Sequence, residues 1–226
     1  MNWIDSDVQP IEPIDAKAII LKIEKACRTC YRSEDKIKDG SAEGLIRGCI
    51  NRGHESVLEH GSVSFRIICD RGVSHEIVRH RIASYSQEST RYCNYGQDKF
   101  KNELQFIYPW WWYDIEWDKL GEFELHHMFS KELMWWDTLT NACQVAETQY
   151  LQMLADGAKP DAARAVLPNC LKTEIVMTAN MRELRHFIKL RTSLGAHPDI
   201  RRLAIKLLKL LRDSGLGLFF EDITEV

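Results

Sequence analysis

The stretch that decides the fold of this chain runs from Arg79 to Tyr92 and reads RHRIASYSQESTRY. Residues 79–91 hold three arginines and a histidine, interleaved with four serine or threonine residues and a glutamine. A guanidinium group matches phosphate and carboxylate oxygens with parallel N–H donors, and hydroxyls and loop amides supply further donors. This composition predicts a site for phosphorylated small molecules.

The spacing within this stretch refines that prediction. On a helix, Arg79 and Arg81 would point roughly 200° apart, so they would serve two ligands or one ligand at a subunit boundary. In an extended stretch, Ser89 and Arg91 would face the same side and would hold one phosphate together. Structural ion pairs with acidic neighbours are the alternative role for these arginines, but so dense a cluster favours ligand binding. The acidic neighbours are Glu76 and Glu88.

Outside this stretch the sequence predicts helices around a small sheet. Asp15 before an apolar run is typical of a helix cap, Ser41 is a second possible cap, and Gly53 would end the second helix. The predicted helices are 16–30, 41–52, 73–83, most of 116–156, 161–167, 181–192 and one that begins at Pro198. The predicted strands are 63–69 and 171–178. A turn is predicted at 71–72 and a structured loop at 84–96. The expected fold is α+β, a single mixed domain over residues 1–226 with a small antiparallel sheet and several long helices.

Composition limits the class of protein. The chain has 226 residues, 45% of them hydrophobic and 28% charged, with a net charge of −3, which is typical of a globular domain with one core. Residues 1–15 lack the basic start of a signal peptide, and no apolar run is long enough for a membrane span. Seven scattered cysteines favour a reducing compartment, and Cys27 and Cys30 have no second pair at zinc spacing. We therefore expect a cytoplasmic protein without a metal or membrane contact.

The Arg79–Tyr92 stretch resembles the signature R-H-R-x-x-S-x-N-x-x-S-x-R of flavin-dependent thymidylate synthases. Arg79, His80, Arg81, Ser84, Ser89 and Arg91 match in register, whereas Ser86 stands where the family has Asn. Further similar segments occur in the family's order at Arg28 and Tyr31, 54–60, 75–78, 164–168 and 180–191, and many relatives have Gln at the position of Glu76. The acidic, tryptophan-rich stretch 102–137 does not match well.

This resemblance implies reductive methylation of dUMP to dTMP. In the family, 5,10-methylenetetrahydrofolate donates the carbon, NADPH reduces FAD, and the reduced flavin supplies the hydride, without a cysteine nucleophile on the pyrimidine. The family's sites are built between the subunits of a homotetramer. In this sequence Cys93 lies past Tyr92, and Ser89 has no adjacent His or Lys base, so neither is well placed as a nucleophile.

The resemblance also implies roles for individual residues. The implied FAD-binding residues are His54, Ser56, Arg79, His80, Arg81, Gln87, Asn180, Arg182 and His186. The implied dUMP-binding residues are Glu76, Arg79, Gln87, Glu88, Ser89, Thr90, Arg91, Arg164 and Arg191. Arg191 is the implied catalytic residue, because a fixed cation against the uracil ring stabilises charge developing on it. Glu76 would be repelled by a phosphate and is expected to accept from a sugar hydroxyl, water or an arginine.

Three other functions are weighed against this one. Residues 182–212 hold nine basic residues, which a nucleic-acid-binding protein would use, but the net charge of −3 argues against it. A different flavoprotein or a non-catalytic nucleotide-binding relative would not need Arg91, Arg164 and Arg191. A metal hydrolase would have to use His54, His60, His75 and His80, which lack ligand spacing. The tryptophans at 110–112 and 135–136 suit a stacking surface but more often form a core or interface.

Overall fold

The computed structural model contains helices and strands and describes residues 1–97, 102–115 and 131–224. The helices are α1 (Ala16–Thr29), α2 (Ser41–Asn51), α3 (Arg71–Ile77), α4 (Lys131–Ala155), α5 (Pro160–Ala163), α6 (Met181–Arg191) and α7 (Pro198–Leu211). The strands are β1 (Asn2–Ile4), β2 (Asp7–Pro10), β3 (Ser62–Asp70), β4 (Ala83–Gln87), β5 (Gln105–Ile107) and β6 (Lys172–Asn180). The predicted α+β class is confirmed. None of the helices in these ranges is both long and apolar enough to cross a bilayer.

The strands form two sheets. The larger one has the order β2-β3-β6-β4 and is the small antiparallel sheet that the sequence predicted. Its two central strands alternate buried and less buried residues, the pattern of a sheet with one face against a core. The smaller sheet is a parallel pair of β1 and β5, which the sequence did not predict.

The chain divides into two compact units. We call the first the aromatic unit: it comprises Met1–Ser6, Ile68–Ser74 and Gln87–Glu174. The second, which we call the helical unit, comprises Asp7–Ile67, His75–Ser86 and Ile175–Val226. A single domain over residues 1–226 and a homotetramer both stay predictions.

The aromatic unit takes its name from its side chains. Its core includes Tyr95, Leu104, Phe106, Tyr150 and Leu171. Beside this core, further aromatic rings pack on one another, with centroid separations of 4.1 Å for Trp112 and Trp136, 4.6 Å for Tyr108 and Trp112, and 4.7 Å for Trp3 and Trp136. Trp112 and Trp136 thus pack on other rings within this unit, whereas Trp135 is exposed, and the core or interface role of the five tryptophans stays a prediction. The part of the predicted helix before Lys131 lies outside the described residues.

The helical unit is stabilised by capped helices and one buried arginine. The Asp15 carboxylate accepts a hydrogen bond from the Ala18 backbone N at 2.9 Å, which confirms the predicted start of α1. The Arg185 side chain is only 2% exposed and donates to Asp222 at 2.7 Å and to Glu55 at 3.2 Å. It also donates to the Phe219 carbonyl. Arg185 thereby ties α6 to the chain on both sides of it.

Four local predictions need correction. The predicted turn at 71–72 is the start of α3, because the Asp70 carboxylate accepts from the Val73 backbone N at 2.7 Å and caps the helix. Helix α3 ends at Ile77 rather than Ala83, and β4 occupies part of the predicted loop. The residue that caps α2 is Gly40 rather than Ser41. Gly53 has a φ of 72°, as a left-handed helix stop requires.

Candidate active site

The segment Arg79–Arg81 connects α3 to β4 and is not helical. The Tyr85 hydroxyl lies 2.9 Å from the Ile77 carbonyl and 2.7 Å from the His80 carbonyl, which fixes the backbone after α3. His80 is buried, whereas Arg79 and Arg81 are exposed. The prediction that the two arginines diverge on one helix is therefore wrong, because the helix has ended before them.

Arg191, at the end of α6, is held by three hydrogen bonds within the helical unit. Its Nη1 donates to the Glu76 carboxylate at 2.7 Å, its Nη2 donates to the Glu76 carbonyl at 3.0 Å, and its Nε donates to His80 Nε2 at 3.1 Å. The side chain is 14% exposed, so the guanidinium is fixed yet accessible. The prediction that Glu76 accepts from an arginine is confirmed.

His80 occupies the centre of this arrangement. Its Nδ1 lies 3.0 Å from the Glu183 carboxylate, and its ring packs edge-on against Phe187 at a centroid distance of 4.7 Å. Burial lowers the pKa of His80 and the nearby charge of Arg191 acts in the same direction, while the hydrogen bond to Glu183 opposes them. The imidazole is therefore neutral at neutral pH.

His186 lies beside His80 and Glu183, and the centroid of its ring is 5.4 Å from that of His80. The ligand atoms of His80, Glu183 and His186 lie within 4.8 Å of one another, a grouping of the kind that binds metals. Both ring nitrogens of His80 are already hydrogen-bonded, so a metal would have to displace Glu183 or Arg191. Of the four histidines that a metal hydrolase would have to use, His54, His60, His75 and His80, this grouping includes His80 alone.

A cavity of about 600 Å³ opens on the helical unit next to these residues, a volume suited to a small-molecule ligand. It contains three of the predicted FAD-binding residues, Asn180, Arg182 and His186. Its other lining residues are Glu55, Glu59, Ile82, Glu183, Arg185 and Lys189. Its wall thus contains both positive and negative side chains.

His54 and Ser56, two further predicted FAD-binding residues, lie at the start of the short 3-10 helix Glu55–His60. Both side chains are exposed, and the His54 backbone N donates to the Cys49 carbonyl at 2.8 Å. Asn180 caps α6, since its side chain accepts from the Glu183 backbone N at 2.9 Å. The helical unit therefore brings Asn180, Arg182 and His186 to one cavity, and places His54 and Ser56 outside its lining.

The aromatic unit carries the other half of the signature. Gln87 donates to the Ser74 hydroxyl at 2.9 Å and to the Thr173 hydroxyl at 3.2 Å, so its amide is held by the unit itself. After it, Ser89 begins a turn in which its carbonyl accepts from the Cys93 backbone N at 2.9 Å. The stretch from Ser89 to Arg91 is a turn within the predicted loop and is not extended, so the condition for the two side chains to face the same side is not met. Ser89 Oγ still faces Arg91, accepting from its backbone N at 3.2 Å.

The acidic neighbours of the signature arginines are occupied elsewhere. Glu76 pairs with Arg191, and Glu88 accepts from Lys172 at 3.0 Å and from the Tyr95 hydroxyl at 2.8 Å. The exposed arginines at predicted ligand positions, by contrast, form no ion pair with any described residue: Arg79, Arg81, Arg91 and Arg164. Arg91 instead lies over the Tyr92 ring at 5.2 Å. The structural ion pairs weighed as an alternative are therefore not made with the described acids.

The basic segment 182–212 is largely neutralised in its first half. Arg182 pairs with Glu59 at 2.6 Å, and Lys189 pairs with Asp222 at 2.9 Å. Arg185 and Arg191 have the acidic partners described above. A nucleic-acid surface needs unpaired cations, so these pairs weaken that interpretation.

Sequence reasoning missed Glu183 and Lys172. Glu183 occupies an unspecified position of the resembled segment, and its one signal is its place four residues before the buried Phe187, which puts a carboxylate on an apolar helix face. Lys172 begins β6 and joins Glu88 to Glu174, at 3.0 Å and 2.7 Å. No motif in the sequence marks it.

Comparison with known proteins identifies the family of this chain. The sequence profile described as "Thymidylate synthase complementing protein" matches residues 17–214, which includes every predicted site residue. The chain belongs to this family. Its signature arginines, the Arg191 cluster and the cavity at Asn180 all lie within the family's matched region.

Curated members of the family resemble the chain over most of its length. A protein named flavin-dependent thymidylate synthase from Mycolicibacterium vanbaalenii is 39% identical over 220 residues, covering 91% of this chain and 80% of that protein. One of the same name from Geobacter sulfurreducens is 34% identical over 207 residues, covering 85% of this chain and 80% of the relative. The Mycobacterium tuberculosis protein of that name is 37% identical over 207 residues, and the match covers 84% of this chain and 74% of that protein.

A solved structure shares the fold. The UMP/dUMP methylase PolB from Streptomyces cacaoi, bound with 5-Br dUMP, superposes with a TM-score of 0.76. The match covers 100% of this chain and 99% of PolB at 24% sequence identity. This family member therefore has the same fold as PolB along its whole length.

Proposed function

We propose that this chain catalyses the reductive methylation of dUMP to dTMP, with 5,10-methylenetetrahydrofolate as carbon donor and FAD, reduced by NADPH, as cofactor. Family membership and the shared name of its curated relatives support the proposal. The observation that carries it is that Arg79, Arg81, Arg91 and Arg164, which all stand at predicted ligand positions, are exposed and have no acidic partner among the described residues. Unpaired guanidinium groups at predicted ligand positions suit phosphate-bearing ligands.

The residues of the helical unit fit a flavin dinucleotide. The cavity of about 600 Å³ has Asn180, Arg182 and His186 in its wall, and Arg79 and Arg81 present guanidinium groups to solvent in the same unit. A dinucleotide carries a diphosphate and several hydroxyls, which such donors match. The chemistry that bound FAD supplies is hydride transfer, and the side chains bind and orient it.

Arg191 is proposed to polarise the pyrimidine. Its three hydrogen bonds fix the guanidinium before any ligand arrives, so little reorganisation accompanies the reaction. Charge that develops on the ring oxygens when N3 ionises is stabilised by such a fixed cation. Glu76 offsets part of that charge and holds the group in place.

Ser89, Thr90 and Arg91 are proposed to bind the dUMP phosphate, with Gln87, Glu88 and Arg164 as further dUMP contacts. The Ser89–Cys93 turn keeps the Ser89 hydroxyl next to the Arg91 backbone, so the two residues lie together at the proposed phosphate position. Ser89 Oγ accepts from a backbone N–H rather than facing a base. The proposed reaction therefore uses no protein nucleophile, neither Ser89 nor a cysteine.

The assembly and location of the enzyme are also proposals. We infer a homotetramer with sites shared between subunits, located in the cytoplasm, because the resembled family is built in this way. Light scattering on the purified protein tests the tetramer. A monomer that retains full activity would reject shared sites.

The deciding experiment is tritium release from dUMP labelled at C5. Methylation at C5 replaces that hydrogen, so we expect tritium in the solvent when FAD, NADPH and methylenetetrahydrofolate are all present. Omitting each in turn is expected to prevent dTMP formation. Turnover to dTMP that is unaffected by removing FAD or NADPH would reject the reductive mechanism.

Colour and salt dependence separate the proposal from a nucleic-acid-binding function. A flavoenzyme is expected to purify yellow, with binding of dUMP that saturates. A nucleic-acid-binding protein would be colourless, and its affinity would fall steeply with salt. The second result would reject the enzyme assignment.

A further inference from the structure

Glu183, His80 and Arg191 form a chain of hydrogen bonds within the helical unit. The Glu183 carboxylate lies 3.0 Å from His80 Nδ1, and Arg191 Nε lies 3.1 Å from His80 Nε2. The side chains of His80 and Glu183 are only 2% and 8% exposed. A carboxylate buried this far usually has a defined partner, and here that partner is the imidazole.

The geometry determines which nitrogen of His80 carries the proton. The Nε group of arginine only donates, so His80 Nε2 has to be the acceptor in that contact. The proton of the neutral ring is then on Nδ1, which donates to Glu183. An imidazolium would direct a second N–H at Arg191 Nε and place two cations in contact.

We propose that Glu183 is a positioning residue that fixes the Nδ1–H tautomer of His80, so that Nε2 accepts from Arg191 and orients its guanidinium. This inference rests on the proposed function, in which Arg191 polarises the pyrimidine. Glu183 acts on Arg191 through His80, and its side chain also lies in the wall of the cavity proposed for FAD. Without it, the ring is free to carry its proton on Nε2, and the hydrogen bond to Arg191 is lost.

Neighbouring residues hold His80 and Glu183 in this hydrogen-bonded arrangement. The Tyr85 hydroxyl holds the His80 carbonyl at 2.7 Å, and the Phe187 ring packs against the imidazole. Asn180 caps the helix that carries Glu183. The charged groups that face His80 are Glu183, His186 and Arg191, with Glu76 behind Arg191. Removing Glu183 removes the carboxylate that contacts the ring directly and favours its protonated form.

The test combines nitrogen NMR with kinetics on the flavin-loaded protein. Histidine labelled with nitrogen-15 is used, and the His80 signals are assigned by their loss in His80→Gln. The wild type is expected to show a protonated Nδ1 and an unprotonated Nε2. Glu183→Leu is expected to shift the ring toward the Nε2–H form and to lower kcat by about 10- to 100-fold, with the KM for dUMP little changed.

Glu183→Gln is the conservative variant. Its amide oxygen still accepts from Nδ1–H, so the tautomer and most of kcat are expected to return. The variant lacks the charge that raises the pKa of His80, so the acid limb of its kcat profile is expected to move to lower pH than in the wild type. This readout also decides the proposal if the Leu variant does not fold.

Glu24→Gln is the matched control, because Glu24 is 2% exposed and pairs with Arg28 away from His80. It is expected to lower stability without moving the tautomer or the acid limb. A wild-type His80 protonated at Nε2, or Glu183 variants with wild-type kcat and acid limb, would overturn the proposal. Absence of dUMP methylation in the wild type would instead reject the proposed function, whatever the tautomer.

Discussion

The guanidinium groups of Arg191 and Arg91 are surrounded in opposite ways. Arg191 has a carboxylate, a carbonyl and an imidazole as acceptors and is mostly buried. Arg91 is exposed, lies over the Tyr92 ring and has no acidic partner among the described residues. A group fixed in advance suits stabilisation of a transition state, whereas an unpaired one is available to bind a phosphate.

The same distinction separates the arginines of the chain more widely. Arg185 is buried and paired with Asp222, and Arg191 is mostly buried and paired with Glu76 at the candidate active site. Arg79, Arg81, Arg91 and Arg164 are exposed without such partners. An arginine's surroundings therefore predict whether its loss affects folding, turnover or affinity.

The largest effect is expected from Arg185→Ala. The change removes a buried side chain and leaves the buried Phe219 carbonyl without its donor, whereas Asp222 keeps Lys189, so we expect the free energy of unfolding to fall by about 2–3 kcal/mol, measured by urea denaturation. Arg185 also lowers the pKa of Asp222, so this stability is present above pH 3.8, the ordinary pKa, and is lost as the pH falls below it. Arg47→Ala, which removes an exposed ion pair with Glu221, is the control and should hardly move the midpoint.

Arg191→Ala is expected to leave the fold and flavin binding intact and to lower kcat by about 100- to 1,000-fold, as losing a preorganised donor does. Steady-state kinetics and the flavin absorbance spectrum measure both. Arg191→Lys keeps the positive charge but lacks the Nε donor to His80, so its kcat should lie between those of the wild type and the Ala variant. Near-normal turnover in the Ala variant would reject the role assigned to Arg191.

Arg91→Ala is expected to weaken dUMP binding by about 10- to 100-fold through loss of charge-assisted hydrogen bonds. Its effect on flavin affinity should be smaller, because Arg91 is assigned to dUMP alone. Calorimetric titration with each ligand measures the two affinities. Equal losses for both ligands would mean that the residues have been assigned to the wrong ligands.

The smallest effect is expected from Ser89→Ala. Loss of one neutral hydrogen bond should weaken dUMP binding by less than about tenfold and leave measurable turnover. Tritium release at saturating dUMP measures it. Complete loss of turnover with dUMP still bound would restore Ser89 as a candidate nucleophile.

Much of the fold was predictable because its signals are local. The Asp15 cap and the apolar face of α7 follow from residues within one helix, and the alternation along β3 and β6 follows from one strand. The short strands β1, β2 and β5 have three or four residues and show too little periodicity to predict. The end of α3 was misjudged because it depends on Tyr85, a residue eight positions beyond Ile77.

The site was predictable as a set of residues but not as a geometry. The signature identified Arg79 and Arg91, and the segment 180–191 identified Arg191, yet neither showed which of these arginines has a partner. That information lies in contacts between distant segments, such as Arg191 with Glu76 across 115 positions. Glu183 was missed for the same reason, since its partner His80 is 103 positions away.

The cap of α6 has a consequence for ligand chemistry. Because Asn180 Oδ1 accepts from the Glu183 backbone N, the orientation of its amide is set by the helix, and the NH₂ end is directed away from it. A molecule that meets Asn180 in the cavity therefore encounters a donor and has to offer an acceptor atom. An Asn180→Asp substitution would retain the cap while exchanging that donor for a negative oxygen, so the helix would remain and the selectivity of its N-terminus would be reversed.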